Sequence, residues 1–343
     1  MKHPISCQSH GIKERIRRSV PYRLWAALQE LRIHLFLFRL MPFSRAASLS
    51  WNRVCYICTL DSLRRRALNE KKHYLINGFL AGVVFETVQE ETPGVNKCGP
   101  FPVLPIWVCW LQGEDQMPEL NQLCVESIKR NAGKHPVIFL SERNIPEYLD
   151  IPQCVSDAYL SGRIKPAIYA DYVRCALLYR YGGLWLDSTI LLTKPLGEEW
   201  FQSAFMSVRM QEEDNKSVSR YRWATFCLGS VPGSPFFCKV EQMFRSYFEE
   251  VERNVDYLMI DYFFDLLCQK DPGILALVNQ VPESNPALHK LRFLLNEAYD
   301  PSKMAAMEET TSIFKLSYKM DLVEYGECGQ TFWGYLKGRF CFS

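Results

Sequence analysis

The chain has 343 residues, of which 48% are hydrophobic, 13% aromatic and 23% charged. That length and mixture exclude a collagen-like repeat, wholesale disorder and a multi-span membrane protein, and they suffice for one large domain with an appendage. The formal net charge of +2 conceals an asymmetry: residues 1–75 carry 15 Lys and Arg against 4 Asp and Glu, an excess of +11, while the remainder stands at −9.

In chain order, residues 11–75 read as helices. Within residues 22–40, Leu24, Leu28, Leu31, Leu35 and Phe38 recur at three- and four-residue steps, with Arg23, Arg32 and Arg39 elsewhere and Trp25 and Phe36 adding bulk. A basic amphipathic stretch of this kind fits an anionic membrane surface, and it equally fits a helical appendage packed on the body. Nucleic acid is not an expected partner, because no RNA-binding or reading-helix pattern accompanies the charge. The apolar run 33–43 is interrupted by His34 and Arg39 and falls short of the roughly 20 residues of a spanning helix. No secretory signal is visible, so a cytoplasmic protein, peripheral at the cytoplasmic membrane face through residues 1–75, is expected. The 13 cysteines are irregularly spaced and several, such as Cys109, Cys175 and Cys227, sit in apolar runs, which reads as reduced, buried thiols. Cys55 and Cys58 form a CxxC without a second pair or a His pair to complete a metal site.

Residues 86–102 are polar and rich in Gly and Pro and read as a linker. The expected organisation is therefore a basic helical region 1–85, a linker 86–102 and a domain 103–343. That domain alternates strands with helices. Strands are predicted at 103–111, 137–140, 184–192, 205–209 and 223–228. Helices are predicted at 117–131, 167–181, 235–251 and 259–270, with Pro118 opening the first and Gly182-Gly183 closing the second. The pattern is that of an α/β fold with a mainly parallel sheet. His73, His135 and His289 lie in no catalytic pattern, and no P-loop, G-x-S-x-G or G-x-G-x-x-G is present.

The informative stretch is 165–195, KPAIYADYVRCALLYRYGGLWLDSTILLTKP. Asp171 and Arg174 lie three apart on one face of an otherwise apolar helix, and buried charges persist only when paired with each other or with a ligand. The strand that follows delivers Asp187 and Thr189 at its carboxyl end, where ligands of open α/β sheets bind. A carboxylate there can hold a hard divalent cation, which in turn neutralises phosphate oxygens.

The pattern A-D-Y-V-R…Y-G-G-L-W-L-D-S-T resembles the core of sugar transferases with a DXD-type motif. It is most similar to the capsular polysaccharide synthesis protein family of bacteria, akin to the group of yeast mannosyltransferases and glucosylating clostridial toxins. Those proteins share an Asp-x-x-Arg on a helix, a Gly-Gly and an Asp sixteen residues beyond the helical one, the spacing of Asp171 and Asp187 here. The likeness runs from about residue 105 to 318 and takes in I-W-V-C-W-L-Q-G, I-D-Y-F-F and K-L-S-Y-K.

The resemblance implies a GT-A nucleotide-sugar transferase fold, a Rossmann-like mixed sheet flanked by helices, behind the helical appendage. It implies a glycosyltransferase moving a hexosyl or N-acetylhexosaminyl unit from a nucleotide diphosphate sugar, a uridine one, to a polysaccharide or lipid-linked glycan, with retention. Trp110 and Gln112 match the place of the base and ribose. Asp171 and Arg174 match residues holding the donor sugar and its ribose or phosphate, and Gly183 belongs to the substrate-binding positions. Lys315 and Lys319 fall where the diphosphate is contacted, and Asp261 falls toward the acceptor side as a further catalytic carboxylate. Asp187 and Thr189 take the places of the two metal-binding aspartates, for Mn2+ or Mg2+; the Thr departs from the pattern, and a hydroxyl is the poorer ligand. A second reading stays open: a non-catalytic scaffold of a membrane-associated polysaccharide assembly that has lost the second carboxylate.

Overall fold

The computed structural model describes residues 20–84, 101–211 and 217–340. The expected linker lies outside the described residues apart from its last two, as does the start of the basic region. The described residues fall into two compact units, residues 20–84 with the short stretch 217–218, and the remainder.

The first unit is helical, as its periodicity predicts: α1 (Val20–His34), α2 (Leu37–Leu40), α3 (Phe43–Cys58) and α4 (Ser62–Val84). The helices α1 and α4 both pack on α3. Its core is small, with Ala46 and Leu49 of α3 buried together with Ile76, Phe79, Leu80 and Val84 of α4. Side-chain-to-backbone bonds tie it together, from Asn52 to the Leu68 carbonyl (2.7 Å) and from Arg45 to the Gly78 carbonyl (3.0 Å). The stripe read as one helix is broken between His34 and Leu37, and Leu24, Leu28, Leu35 and Phe38 are exposed rather than packed.

The second unit is mixed α/β. Its elements are β1 (Ile106–Cys109), α5 (Glu119–Asn131), β2 (Val137–Leu140), α6 (Gln153–Leu160), α7 (Pro166–Arg180), β3 (Gly183–Leu186) and β4 (Ile190–Leu192). They continue with β5 (Met206–Ser207), β6 (Cys227–Ser230), α8 (Pro235–Glu250), α9 (Met259–Lys270), α10 (Pro272–Asn279), α11 (Pro301–Thr310), β7 (Ile313–Lys315) and α12 (Phe332–Phe340). The central sheet has the order β2-β1-β3-β6-β5; β2, β1 and β3 run parallel, and β6 alone is reversed, antiparallel to both its neighbours, β3 and β5.

Local chemistry accounts for the boundaries. Helix α5 follows Pro118, with Glu119 in its first turn and Lys129 and Arg130 in its last, each complementing the helix dipole. Asp271 caps α10 and Asp300 caps α11, each carboxylate accepting two backbone N–H bonds. After α7 the chain reverses through Gly182 (φ +66°) and Gly183 (φ +95°). A Cβ on Gly183 would stand 2.2 Å from the Pro105 carbonyl oxygen, so only glycine lets β3 lie against the start of β1.

The run 184–192, read as a single strand, is two. Beyond Leu186 the chain turns over Asp187–Thr189, with the Ile190 amide bonded to the Asp187 carbonyl (2.9 Å), and enters a second sheet in which β4 pairs antiparallel with β7. That small sheet is walled by one apolar cluster, including Leu120, Leu123, Leu191, Phe314, Phe332, Trp333 and Leu336. Elsewhere in the unit, Phe205, Phe236, Phe237 and Phe264 pack edge to face, tilted or, for Phe205 and Phe237, stacked, with ring centroids 4.4–6.2 Å apart. Cys55 and Cys58 are both free thiols.

Candidate active site

Because β1 and β3 are parallel, their carboxyl ends leave the sheet on the same side. Trp110 and Gln112 follow the one and Asp187 the other. Helix α7, the neighbour of β3, carries Asp171 and Arg174, both buried. The register of the second sheet sets Lys315 opposite Ile190, beside the turn.

These placements produce one continuous charged cluster. Arg174 pairs with Asp171 (3.2 Å) and with Asp187 Oδ1 (3.3 Å), and donates to the Thr225 carbonyl (2.6 Å). Its guanidinium lies over the Trp185 ring at 4.9 Å. The indole N–H of Trp185 donates to Asp187 Oδ1 (3.0 Å). Lys315 Nζ donates to Asp187 Oδ2 (2.7 Å) and to Thr189 Oγ1 (2.6 Å), and sits 4.6 Å from the centre of the Phe226 ring. Asp261, in the first turn of α9, accepts from the Trp223 indole (2.8 Å).

Electrostatics separates the three aspartates. Burial pushes Asp171 up to about 7, with Arg174 opposing and Asp261 and Asp187 adding to the rise. Burial likewise pushes Asp261 up to about 6 against the Trp223 bond and Arg174. Asp187 is also driven up by desolvation, but Lys315 and Arg174 outweigh it and hold the carboxyl at about 2. The site thus contains one firmly ionised carboxylate, two that titrate near neutrality, and two cations.

The segment before β6 organises much of this. Trp223 supports Asp261, the Thr225 carbonyl holds Arg174, the Phe226 carbonyl receives the Asp187 amide (3.0 Å), and the Phe226 ring underlies Lys315. Residues 223–228 were expected to be a strand; the strand begins only at Cys227, and what precedes it is a turn that feeds the site. Arg220 (φ 47°) and Tyr221 (φ 60°) lead into it in the left-handed region, a conformation that surrounding contacts must hold in place. The Arg222–Asp265 ion pair and the stacking of Arg222 on Trp223 are among those contacts. Trp185, Trp223 and Phe226 were not singled out by sequence; their contributions are an indole N–H and a ring face, which no spacing rule marks.

Other expected positions are spread around the cluster. Trp110 is half-buried, its ring edge-on to Tyr318 (5.6 Å), and its indole N–H is buried without a hydrogen-bond partner in the structure, a donor free for a ligand. Gln112 and Lys319 are exposed. Gly183 is not brought to the cluster: it starts β3, at the opposite end of the strand from Asp187, buried against Pro105, so its role is in packing. Cys109 lies near Arg174, and burial pushes its thiol up to about 12, leaving it inert.

The residues expected to hold Mn2+ or Mg2+ do not fit a divalent ion as arranged. Asp187 Oδ2 and Thr189 Oγ1 both bind the ammonium of Lys315, and Asp187 Oδ1 is engaged by Arg174 and Trp185. An ion on this pair would sit against two fixed positive charges. Among the described residues no group of three or more His, Cys, Asp or Glu is placed to share a metal.

An α/β sheet whose parallel strands end at a buried, mixed-charge cluster presents that cluster at the edge where ligands of open α/β sheets bind. Residues 60–336 match the profile described as capsular polysaccharide synthesis protein, and the chain belongs to that family. The match begins ahead of α4, so the family's sequence takes in part of the helical unit as well as the α/β unit. Two curated fungal relatives match shorter stretches. The O-glycosyltransferase PaGT of Phomopsis amygdali is 28% identical over 105 residues, 28% of this chain and 26% of its own length. The O-glycosyltransferase braB of Annulohypoxylon truncatum is 28% identical over 92 residues, 24% of this chain and 22% of its own. The matches thus span about a quarter of those relatives. The solved structure of PaToxG glycosyltransferase aligns with 60% of this chain and 83% of its own at a TM-score of 0.36 and 18% identity.

Proposed function

We propose that this protein is a glycosyltransferase that takes a sugar from a nucleotide diphosphate sugar, a uridine one, and passes it with retention to a polysaccharide or lipid-linked glycan of the cell surface. The observation that carries the reading is the linked cluster Asp171–Arg174–Asp187–Lys315 at the carboxyl edge of the sheet. It supplies two fixed cations for a diphosphate, with carboxylates able to accept from sugar hydroxyls. The family membership and the naming of both fungal relatives as O-glycosyltransferases support the same reading.

Each residue has a task in it. Arg174 and Lys315 face the diphosphate, whose negative charge grows as the anomeric bond breaks; preorganised donors aimed at that charge lower the barrier. Asp187 holds both cations in position through its two oxygens. Asp171, ionising near neutrality, orients the sugar so that the acceptor hydroxyl meets it in reactive geometry. Asp261 stands on the acceptor side, and the Trp110 ring and its unused N–H offer a seat for the base. The exposed apolar side chains of the basic helical unit support a location at an anionic membrane surface, next to a lipid-linked acceptor.

The test is a donor-hydrolysis and transfer screen over common nucleotide sugars, with the Asp187→Ala variant alongside. The variant is expected to retain its far-ultraviolet circular dichroism and to lose turnover by a factor of about 1,000 or more, as for loss of a group that anchors transition-state charge. Transfer by Asp187→Ala at the parent rate removes the assignment.

A further inference from the structure

We propose that the ammonium of Lys315, clamped between Asp187 and Thr189, occupies the place of a divalent cation, so that this protein binds a nucleoside diphosphate and releases it in transfer without a metal ion. The inference rests on the nucleotide-sugar reading and concerns how the same site handles the diphosphate.

Three observations carry it. The first is position. The two side chains that a metal would bridge are bridged instead by Nζ, at 2.7 Å from Asp187 Oδ2 and 2.6 Å from Thr189 Oγ1. The second is fixation. A lysine side chain normally surrenders considerable rotamer entropy to act as a point charge. Here β-pairing sets its backbone opposite Ile190, its amide is bonded to the Leu288 carbonyl (2.8 Å), and the Phe226 ring lies against its ammonium. The ordering is therefore done during folding, before any ligand arrives. The third is the hydroxyl at 189. A second carboxylate at that position is useful only when a metal stands between it and the phosphates; without one, it would repel them. Thr189 accepts from Lys315 through a lone pair and keeps its own O–H, which can donate to a phosphate oxygen. The ammonium has three N–H bonds and spends two on Asp187 and Thr189, leaving one for the diphosphate. Thr189 and Lys315 are thus two halves of one arrangement.

The transfer step balances without a metal. The bond between the anomeric carbon and the diphosphate oxygen breaks, its electron pair staying on that oxygen. The acceptor hydroxyl oxygen bonds to the anomeric carbon from the same face, and its proton passes to the departing diphosphate oxygen. Lys315, Thr189 and Arg174 stabilise the charge by hydrogen bonding and release no proton of their own.

The test titrates the full chain with uridine diphosphate and inorganic pyrophosphate by calorimetry, once in EDTA and once in Mn2+, and follows free Mn2+ by its paramagnetic resonance signal. The expected result is a diphosphate affinity that agrees within about 3-fold in the two buffers, with Mn2+ left free. Lys315→Met should lower the metal-free affinity by about 30-fold or more, as expected for a lost charge-assisted bond in a half-buried site, and Lys315→Arg should recover most of it. The double variant Thr189→Asp, Lys315→Met, which rebuilds the two-carboxylate pattern, should bind the diphosphate only with Mn2+ and capture the ion from the resonance signal. Wild-type binding that requires Mn2+, with the ion taken up, overturns the inference and leaves the nucleotide reading standing. Absence of diphosphate binding in either buffer brings down both.

Discussion

At the scale of the residue, the three aspartates of the site show how neighbours decide chemistry. Asp187 lies between two cations and stays ionised; Asp171, deeper and sharing Arg174, titrates near neutrality. The folded-state carboxyl of Asp171 holds its proton more tightly than an unfolded one, about 7 against the ordinary 3.8. Its contribution to stability is therefore complete below pH about 4 and is lost as pH rises through about 7. Asp171→Asn, which keeps an acceptor for Arg174 but cannot ionise, should melt higher than the parent at pH 8. The difference should shrink steadily toward pH 4, while activity falls at every pH. Thermal unfolding of both proteins across that range measures it, and a gain independent of pH would contradict the assignment. The anchor residues themselves were legible in sequence because charges inside apolar runs stand out and because their spacing matches a known pattern. Trp185, Trp223 and Phe226 were not, since an indole or phenyl ring in a strand reads as core until the fold shows what its edge or face touches. Gly183 lies away from the cluster for a related reason: Gly-Gly marks a reversal, and only the approach of Pro105 shows which constraint requires it.

At the scale of the element, the central strands and helices were readable, several to within a residue. Helix α9 and strand β2 have the predicted bounds, and α7 differs by one residue at each end. What periodicity does not convey is that 184–192 changes sheets. Both halves are apolar and strand-forming, and only the polar D-S-T between them signals the turn. Yet that turn is what makes Asp187 and Thr189 a site. The packing of β3 on β1 can be tested at its tightest point. Gly183→Ala adds a methyl group 2.2 Å from a backbone oxygen at a residue with φ +95°. It should cost about 3 kcal/mol or more, the range of severe steric and backbone lesions. Urea unfolding measures the loss, and a cost below about 1 kcal/mol would show that the strands can separate without harm.

At the scale of the whole molecule, charge and exposed apolar surface coincide in the helical unit. Val20, Leu24, Trp25, Leu28, Leu35, Phe43, Trp51 and Leu63 are all more than half exposed, in the quarter of the sequence that carries an excess of +11. The periodicity of residues 22–40 was legible, but whether its apolar stripe faced the chain's own core was not, since both answers give the same spacing. No helix among the described residues is long and apolar enough to cross a membrane. The full chain should float with vesicles containing phosphatidylserine and stay behind with neutral ones. Leu24→Gln, Trp25→Gln and Leu28→Gln together should abolish flotation and leave hydrolysis of a soluble donor intact. Equal flotation of parent and triple variant would dismiss the surface.

The ion pair between Asp187 and Lys315 joins residues 128 positions apart. During synthesis the acidic anchor and Arg174 emerge long before their ammonium partner, and long-range pairings of this kind form late. An unfinished chain, or one clipped ahead of β7, therefore holds the strands of the central sheet but lacks the ammonium of the cluster. The cluster is complete only once β7 has paired with β4.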